Sequence, residues 1–166
     1  MDEIKQIVID TNVWVNALSE NGNKEYRSDA LLLLTNVMQI ADLFIDIDNE
    51  GDILKEYRDN VGNEPLFQLF IQQLFRENRF NYVSADIPKH DRDMLISLGF
   101  HEPEDHVFVG TALKSGKYIV TDDSDYGTHG EEDKREVNDY MKSLLRLRLE
   151  NSKEGLKTSL DLLRIR

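Results

Sequence analysis

The residues of this chain that could do chemistry are its acids. Asp10 follows the run Ile7-Val8-Ile9, and Thr11-Asn12-Val13-Trp14 follows it in turn. Glu56 lies in Ile53-Leu54-Lys55-Glu56-Tyr57-Arg58, Asp105 opens Asp105-His106-Val107-Phe108-Val109-Gly110-Thr111-Ala112, and Asp123 closes Tyr118-Ile119-Val120-Thr121-Asp122, with Asp125 two residues on. A β-branched run that meets a carboxylate reads as a buried parallel strand ending in a charge. In open α/β sheets ligands bind in the crevice beyond the carboxyl ends of the strands. A charge placed there is costly unless something pairs with it, so an acid at a strand tip is either bonded to a cation or working. Each acid also has a plainer use. Asp10-Thr11-Asn12 are good N-cap residues, and Glu56 could be a solvated helix residue. Asp105 suits a helix first turn, while Asp122, Asp123 and Asp125 are turn formers. No single position decides; the order and setting of the four acids carry the weight. Carboxylates that converge repel one another unless a metal holds them. An all-oxygen donor set with no cysteine and four histidines selects Mg²⁺ or Mn²⁺ over zinc. Such ions activate water and stabilise in-line phosphoryl displacement, so the reaction class is phosphodiester hydrolysis.

The elements that must position these acids alternate between strand and helix. Strands are expected at Ile4–Ile9, Leu43–Ile47, Phe80–Ser84, Tyr118–Val120 and Leu147–Leu149. Between them, Val13–Leu18 opens a helix or turn. Helices follow over Tyr26–Ala41, capped by Ser28 or the residue before it, and over Ile53–Asn60, capped by Asp52. Further helices start at Asn63-Glu64-Pro65, at Lys89 up to Gly99, at Glu104 up to Gly116, at Lys134 to about Leu145, and at Lys153 to Leu163. Leu31, Leu34, Met38 and Ala41 share one face of the first long helix. Strand–helix alternation implies a parallel sheet with helices on both faces.

At 166 residues, with 40% apolar content, the chain is one domain with a real core. The absence of cysteine excludes a disulfide scaffold and thiolate metal sites. An acidic start and a longest apolar run of only Ala30 to Leu34 lead us to expect a soluble, cytoplasmic protein. The net charge of −12 argues against nucleic acid as a partner if read bluntly. The charge is unevenly spread, however. Lys134 to Arg166 carries nine Lys/Arg against five Asp/Glu, whereas residues 1–133 carry eleven against twenty-seven. Lys142, Arg146 and Arg148, with Lys153 and Lys157, could track a phosphate backbone; the interleaved Glu150, Glu154 and Asp161 read instead as a mixed, solvated face.

Taken together, Val8-Ile9-Asp10-Thr11-Asn12-Val13, Ile53-Leu54-Lys55-Glu56-Tyr57, Asp105 to Ala112 and Ile119-Val120-Thr121-Asp122-Asp123-Ser124-Asp125 resemble, in order, the motifs of PIN-domain nucleases. The resemblance spans roughly Ile4 to Leu149. It implies a three-layer α/β/α sandwich with a central parallel sheet of about five strands over residues 1–150, with 151–166 as a C-terminal helical extension of the same domain. It also implies a divalent-metal-dependent nuclease, usually acting on RNA. Asp10, Glu56, Asp105 and Asp123 would be catalytic and hold Mg²⁺ or Mn²⁺, with Asp125 auxiliary. Thr11, Asn12 and Thr121 would support them from behind, and a metal-activated water would be the nucleophile. Asp122 and Asp123 are adjacent, so the fourth ligand is open between them; spacing favours Asp123. Many small bacterial relatives are toxins paired with an antitoxin, and nothing in this chain selects that subgroup.

Other residues read more plainly. His101 and His106 lack zinc-ligand spacing, and His129 has no partner pair. Trp14 could stack on a base, but its place after a strand favours the core. Phe67, Phe70, Phe75 and Phe80 recur near helical spacing, as a core or a homodimer face. A competing function is a non-catalytic protein of the same fold that binds RNA or a protein partner. The presence of all four acids counts against it. A phosphatase would want a second acid two residues after Asp10, where Asn12 stands.

Overall fold

The apolar runs become five short strands in the computed structural model, which describes residues 3–165. They are β1 (Gln6–Ile9), β2 (Phe44–Asp48), β3 (Phe80–Val83), β4 (Tyr118–Val120) and β5 (Arg148–Glu150). They form one sheet in the order β3-β2-β1-β4-β5, and every pairing is parallel. The helices are α1 (Thr11–Leu18), α2 (Arg27–Gln39), α3 (Asp52–Val61), α4 (Pro65–Arg76), α5 (Lys89–Ser97), α6 (Pro103–Leu113), α7 (Arg135–Ser143) and α8 (Ser152–Ile165). Single 3₁₀ turns occupy Ser124–Tyr126 and Glu132–Lys134. The expected three-layer α/β/α fold is what forms: α2 packs with α1, α4 and α8, while α6 lies against β1, β2 and β4. Among the described residues no helix is long and apolar enough to cross a membrane.

Chain order sets where a crevice must open. From β1 the chain steps outward through β2 to β3, then returns to the other side of β1 for β4. The loops leaving β1 and β4 therefore part in opposite directions, which makes a switch point at the carboxyl ends of those two strands. Asp10 and Thr121 are the first residues past those ends. The strand interior that holds them is fully apolar: Ile7, Val8, Ile9, Ile119 and Val120 are all buried.

Three local expectations are corrected. Tyr26, not Ser28, is the N-cap of α2, and it makes no side-chain capping bond. Helix α2 ends at Gln39, so Ala41 lies outside it and is exposed. Asp52 does not cap α3 but begins it: the Asp48 carboxylate, from the end of β2, accepts the amides of Asp52 (2.9 Å) and Ile53 (2.8 Å). Gly51 makes this turn with φ +86°, a conformation that favours glycine.

Two contacts fix how deeply the site helices sit. The Tyr57 hydroxyl, buried on α3, donates to the carbonyl of Ile9, the residue before Asp10. Trp14 is buried as expected, edge-on to Phe67 with centroids 5.3 Å apart and 5.6 Å from Tyr57. Gly110 lets α6 lie on the chain after β3, because a Cβ there would stand 1.7 Å from the carbonyl oxygen of Ala85. Of the other phenylalanines, Phe70 is half-buried against Trp14, whereas Phe75 is exposed beside the buried Phe80.

Candidate active site

Asp10 is the hub. It is 3% exposed, and its backbone amide donates to Val120 (3.0 Å), tying the tips of β1 and β4 together. Its Oδ1 caps α1 by accepting the amide of Thr11 (2.7 Å), so the capping reading and the site reading hold for the same side chain. Its Oδ2 accepts the Thr121 hydroxyl (2.7 Å) and the Asn12 amide group (3.3 Å). Asn12 reaches across in turn, its Oδ1 accepting the amide of Asp122 (3.0 Å). Thr121 also accepts the amide of Asp123 (3.0 Å), so one buried hydroxyl holds Asp10 and Asp123 in fixed relation.

The structure separates the two adjacent acids. Asp122 points inward: Oδ2 accepts from Asn16 (3.1 Å), and Oδ1 accepts the amide of Ser152 at the start of α8 (2.9 Å) and lies 3.0 Å from Nε2 of His129. Its carboxylate is consumed by structure. Asp123 points the other way, half-buried, with Oδ1 accepting only the amide of Asp125 (2.9 Å). Carboxylate oxygens of Asp105, Asp123 and Asp125 lie within 4.8 Å of one another, the spacing of a shared cation. Asp105 arrives from the first turn of α6, and the Tyr126 hydroxyl donates to its backbone carbonyl (3.3 Å).

The electrostatics join Asp10 and Glu56 to this trio. Burial pushes Asp10 up to about 7 against the Thr121 hydrogen bond, and Asp123 and Glu56 raise it further. Burial, then the charges of Asp10, Asp123, Asp125 and Glu56, push Asp105 up to about 8. Glu56 on α3 is raised by burial; Thr11 opposes, and Glu104 and Asp123 add to the rise. Asp123 is raised by burial and Asp125, with the Asp125 amide and Lys134 opposing. Burial first, and mutual repulsion second, thus raise Asp10, Glu56, Asp105 and Asp123 together. Among the described residues the one Lys or Arg in ion-pair contact with these five acids is Lys134, 3.6 Å from Asp125. The donor set is all carboxylate oxygen, the chemistry that suits a hard divalent ion.

The remaining expected site residues lie elsewhere. The strands are all parallel, so Lys142 in the last turn of α7, Arg146 before β5 and Arg148 at the start of β5 stand at the opposite edge of the sheet from Asp10. Arg148 is moreover bound to Glu150 (3.0 Å) and Thr158 (3.0 Å) and lies over the Tyr118 ring. His106 is held by the Phe100 carbonyl (2.7 Å) and stacks on that ring; His129 stacks on Tyr26 at 4.2 Å. Sequence reasoning passed over Tyr57, Tyr126 and Lys134. Ile53, Leu54, Tyr57 and Val61 form the buried face of α3, so helical spacing could have flagged Tyr57 as inward-facing. Nothing in the spacing of Lys134 could have marked it.

A parallel α/β/α sheet with acids converging at its switch point defines a class of metal-handling hydrolase sites. The chain belongs to the PIN domain family, whose model matches residues 6–125, a stretch that runs from β1 to Asp125 and contains all five acids. PIN domains are generally nucleases and generally use divalent metals. No curated protein matches the chain. Among solved structures it is similar to the crystal structure of VapBC2 from Rickettsia felis bound to a DNA fragment from their promoter, with a TM-score of 0.45 and 17% identity over 88% of this chain and 98% of that one.

Proposed function

We propose that this protein is a divalent-metal-dependent ribonuclease, and that Asp10, Glu56, Asp105 and Asp123 hold Mg²⁺ or Mn²⁺ with Asp125 assisting. The observation that carries the reading is the convergence of carboxylates: Asp105, Asp123 and Asp125 within 4.8 Å of one another, and Asp10 and Glu56 close enough for their charges to raise Asp105. A divalent ion, when bound, supplies activation of water and positive charge for in-line displacement at phosphorus. The chain's own residues do the rest. Thr121 and Asn12 hold Asp10 in one rotamer, and Thr121 sets Asp123 against it. Tyr57 clamps the end of β1 to the helix that carries Glu56. A groove of about 480 Å³, lined by Asp52, Ile53, Lys55, Glu56, Asp59, Pro103, Glu104 and Val107, opens beside Glu56. No side chain is needed as a covalent nucleophile.

The test is Asp10→Asn. Cleavage of a labelled RNA is expected to fall by roughly a thousand-fold or more, with the far-UV circular dichroism spectrum unchanged, and chelator should abolish wild-type cleavage. Calorimetric titration with Mn²⁺ should show saturable uptake by the wild type. Cleavage that survives chelator, or a wild type that takes up no Mn²⁺, would remove the proposal. Uptake without cleavage would leave the non-catalytic binding protein.

A further inference from the structure

Lys134 stands at the rim of the acidic cluster, and its placement is built rather than incidental. It closes the turn Glu132–Lys134 and forms the N-cap of α7. Gly127, at φ +69°, packs beneath it so closely that a Cβ there would lie 3.0 Å from the Lys134 carbonyl oxygen and 3.1 Å from its Cβ. Asn138, on α7, ties this segment to the preceding Ser124–Tyr126 turn by donating to the Tyr126 carbonyl (2.8 Å). The side chain is 21% exposed and its ammonium lies beside Gly99, 4.0 Å from where a Cβ would stand. Among the described residues that ammonium makes one loose ion pair, 3.6 Å to Asp125 Oδ1, and no hydrogen bond. Three N–H donors are thus held at the mouth of the site with little to bind.

The charge balance says what they could bind. A phosphodiester that approaches Asp10, Glu56, Asp105, Asp123 and Asp125 meets a strongly negative field, and one divalent ion does not cancel five carboxylates. Lys142, Arg146 and Arg148 are at the far edge of the sheet and cannot help, and Lys55, in the groove beside Glu56, is already paired with Asp59 at 2.7 Å. We propose that Lys134 is the phosphate contact of this site: its ammonium binds a non-bridging oxygen of the nucleic-acid backbone, with Asp125 as its resting counter-ion. The inference rests on the nuclease reading and adds to it the residue that admits the anionic substrate.

The experiment measures binding of a labelled single-stranded oligoribonucleotide by fluorescence anisotropy, in an Asp10→Asn background with Mn²⁺ present, across a range of salt. Lys134→Gln should weaken binding about tenfold and reduce the slope of log affinity against log salt by about 0.7, the share of one phosphate contact on a single strand. Lys134→Arg should restore the slope. In the wild-type background, calorimetric Mn²⁺ uptake by Lys134→Gln should be retained or tighter, because a competing cation has gone. Equal affinity and equal slope in Lys134→Gln would overturn the inference and leave the nuclease reading standing. So would a lower melting temperature and weaker Mn²⁺ uptake with the slope unmoved, which would make Lys134 a structural prop. Failure of the nuclease reading looks different: the parent binds no RNA and the wild type cleaves none.

Discussion

The two ends of the sheet treat charge in opposite ways. At the amino end Arg79 is 1% exposed, yet each of its N–H groups is used. Nε donates to Leu43 (3.0 Å), Nη1 to Met38 (3.0 Å) and Glu77 (3.3 Å), and Nη2 to Val37 (2.5 Å) and Ile40 (2.8 Å). The guanidinium closes the carbonyl end of α2, where the helix dipole welcomes a cation. At the carboxyl end Asp105, Asp123 and Asp125 crowd together, with Asp10 and Glu56 near enough to raise Asp105 and a single loose lysine at Asp125. A buried charge whose hydrogen bonds are complete is a structural element. A crowd of like charges stores a cost that a proton or a bound cation relieves.

Breaking the satisfied end should be the larger stability loss. Arg79→Met orphans the last carbonyls of α2 and is expected to destabilise the protein by about 4 kcal/mol in urea unfolding; a loss under about 1 kcal/mol would mean that water replaces the guanidinium. At the other end the sign reverses. Asp105, at about 8, is held above its unfolded value of 3.8, so the native state binds the extra proton and gains stability as pH falls. Asp105→Asn removes that penalty. In chelator-treated protein it should raise stability at pH 8 by a few kcal/mol and flatten the pH dependence between about 4 and 8, while Mn²⁺ uptake is lost. Destabilisation instead would show that Asp105 is already paired.

The smallest effect sharpens the boundary between the two ends. Asp46, in the middle of β2, is fully buried, accepts from Asn81 (2.9 Å), and is pushed by burial up to about 6. Its folded value also exceeds 3.8, so its penalty is full above pH 6 and is relieved as pH falls toward 4. The wild type should gain about 1 kcal/mol relative to Asp46→Asn between pH 8 and pH 5, and Mn²⁺ should not change that difference. A metal-dependent difference would place Asp46 in the site's electrostatics.

The place of the acids at the strand tips was legible because an apolar β-branched run ends where a carboxylate begins; their capping and turn-forming uses are equally local, and Asp10 serves as a cap as well. The parallel sheet was legible because strand and helix alternate throughout. Cap positions were less so: Ser28 and Asp52 are good cap types, but α2 begins at Arg27 without a side-chain cap, and Asp48, brought in by β2, takes the amides of α3. The place of the basic tail was not legible. Lys142, Arg146 and Arg148 are near one another in sequence and so share a rim, but it is the rim opposite Asp10, because α7 carries the chain back across the sheet before β5 starts.

By its own pattern the sequence determined which acids could meet, in which order, and on which kind of fold, since strand endings and helix starts are local properties of neighbouring residues. Tertiary structure alone decided that Asp122 turns inward to Asn16, Ser152 and His129 while Asp123 turns toward Asp105 and Asp125. Two adjacent, chemically identical side chains have the same local preferences. Only partners from residues 16, 105 and 152, distant in the chain and gathered by packing, together with His129 from the loop that follows, could give one a structural task and leave the other facing the site.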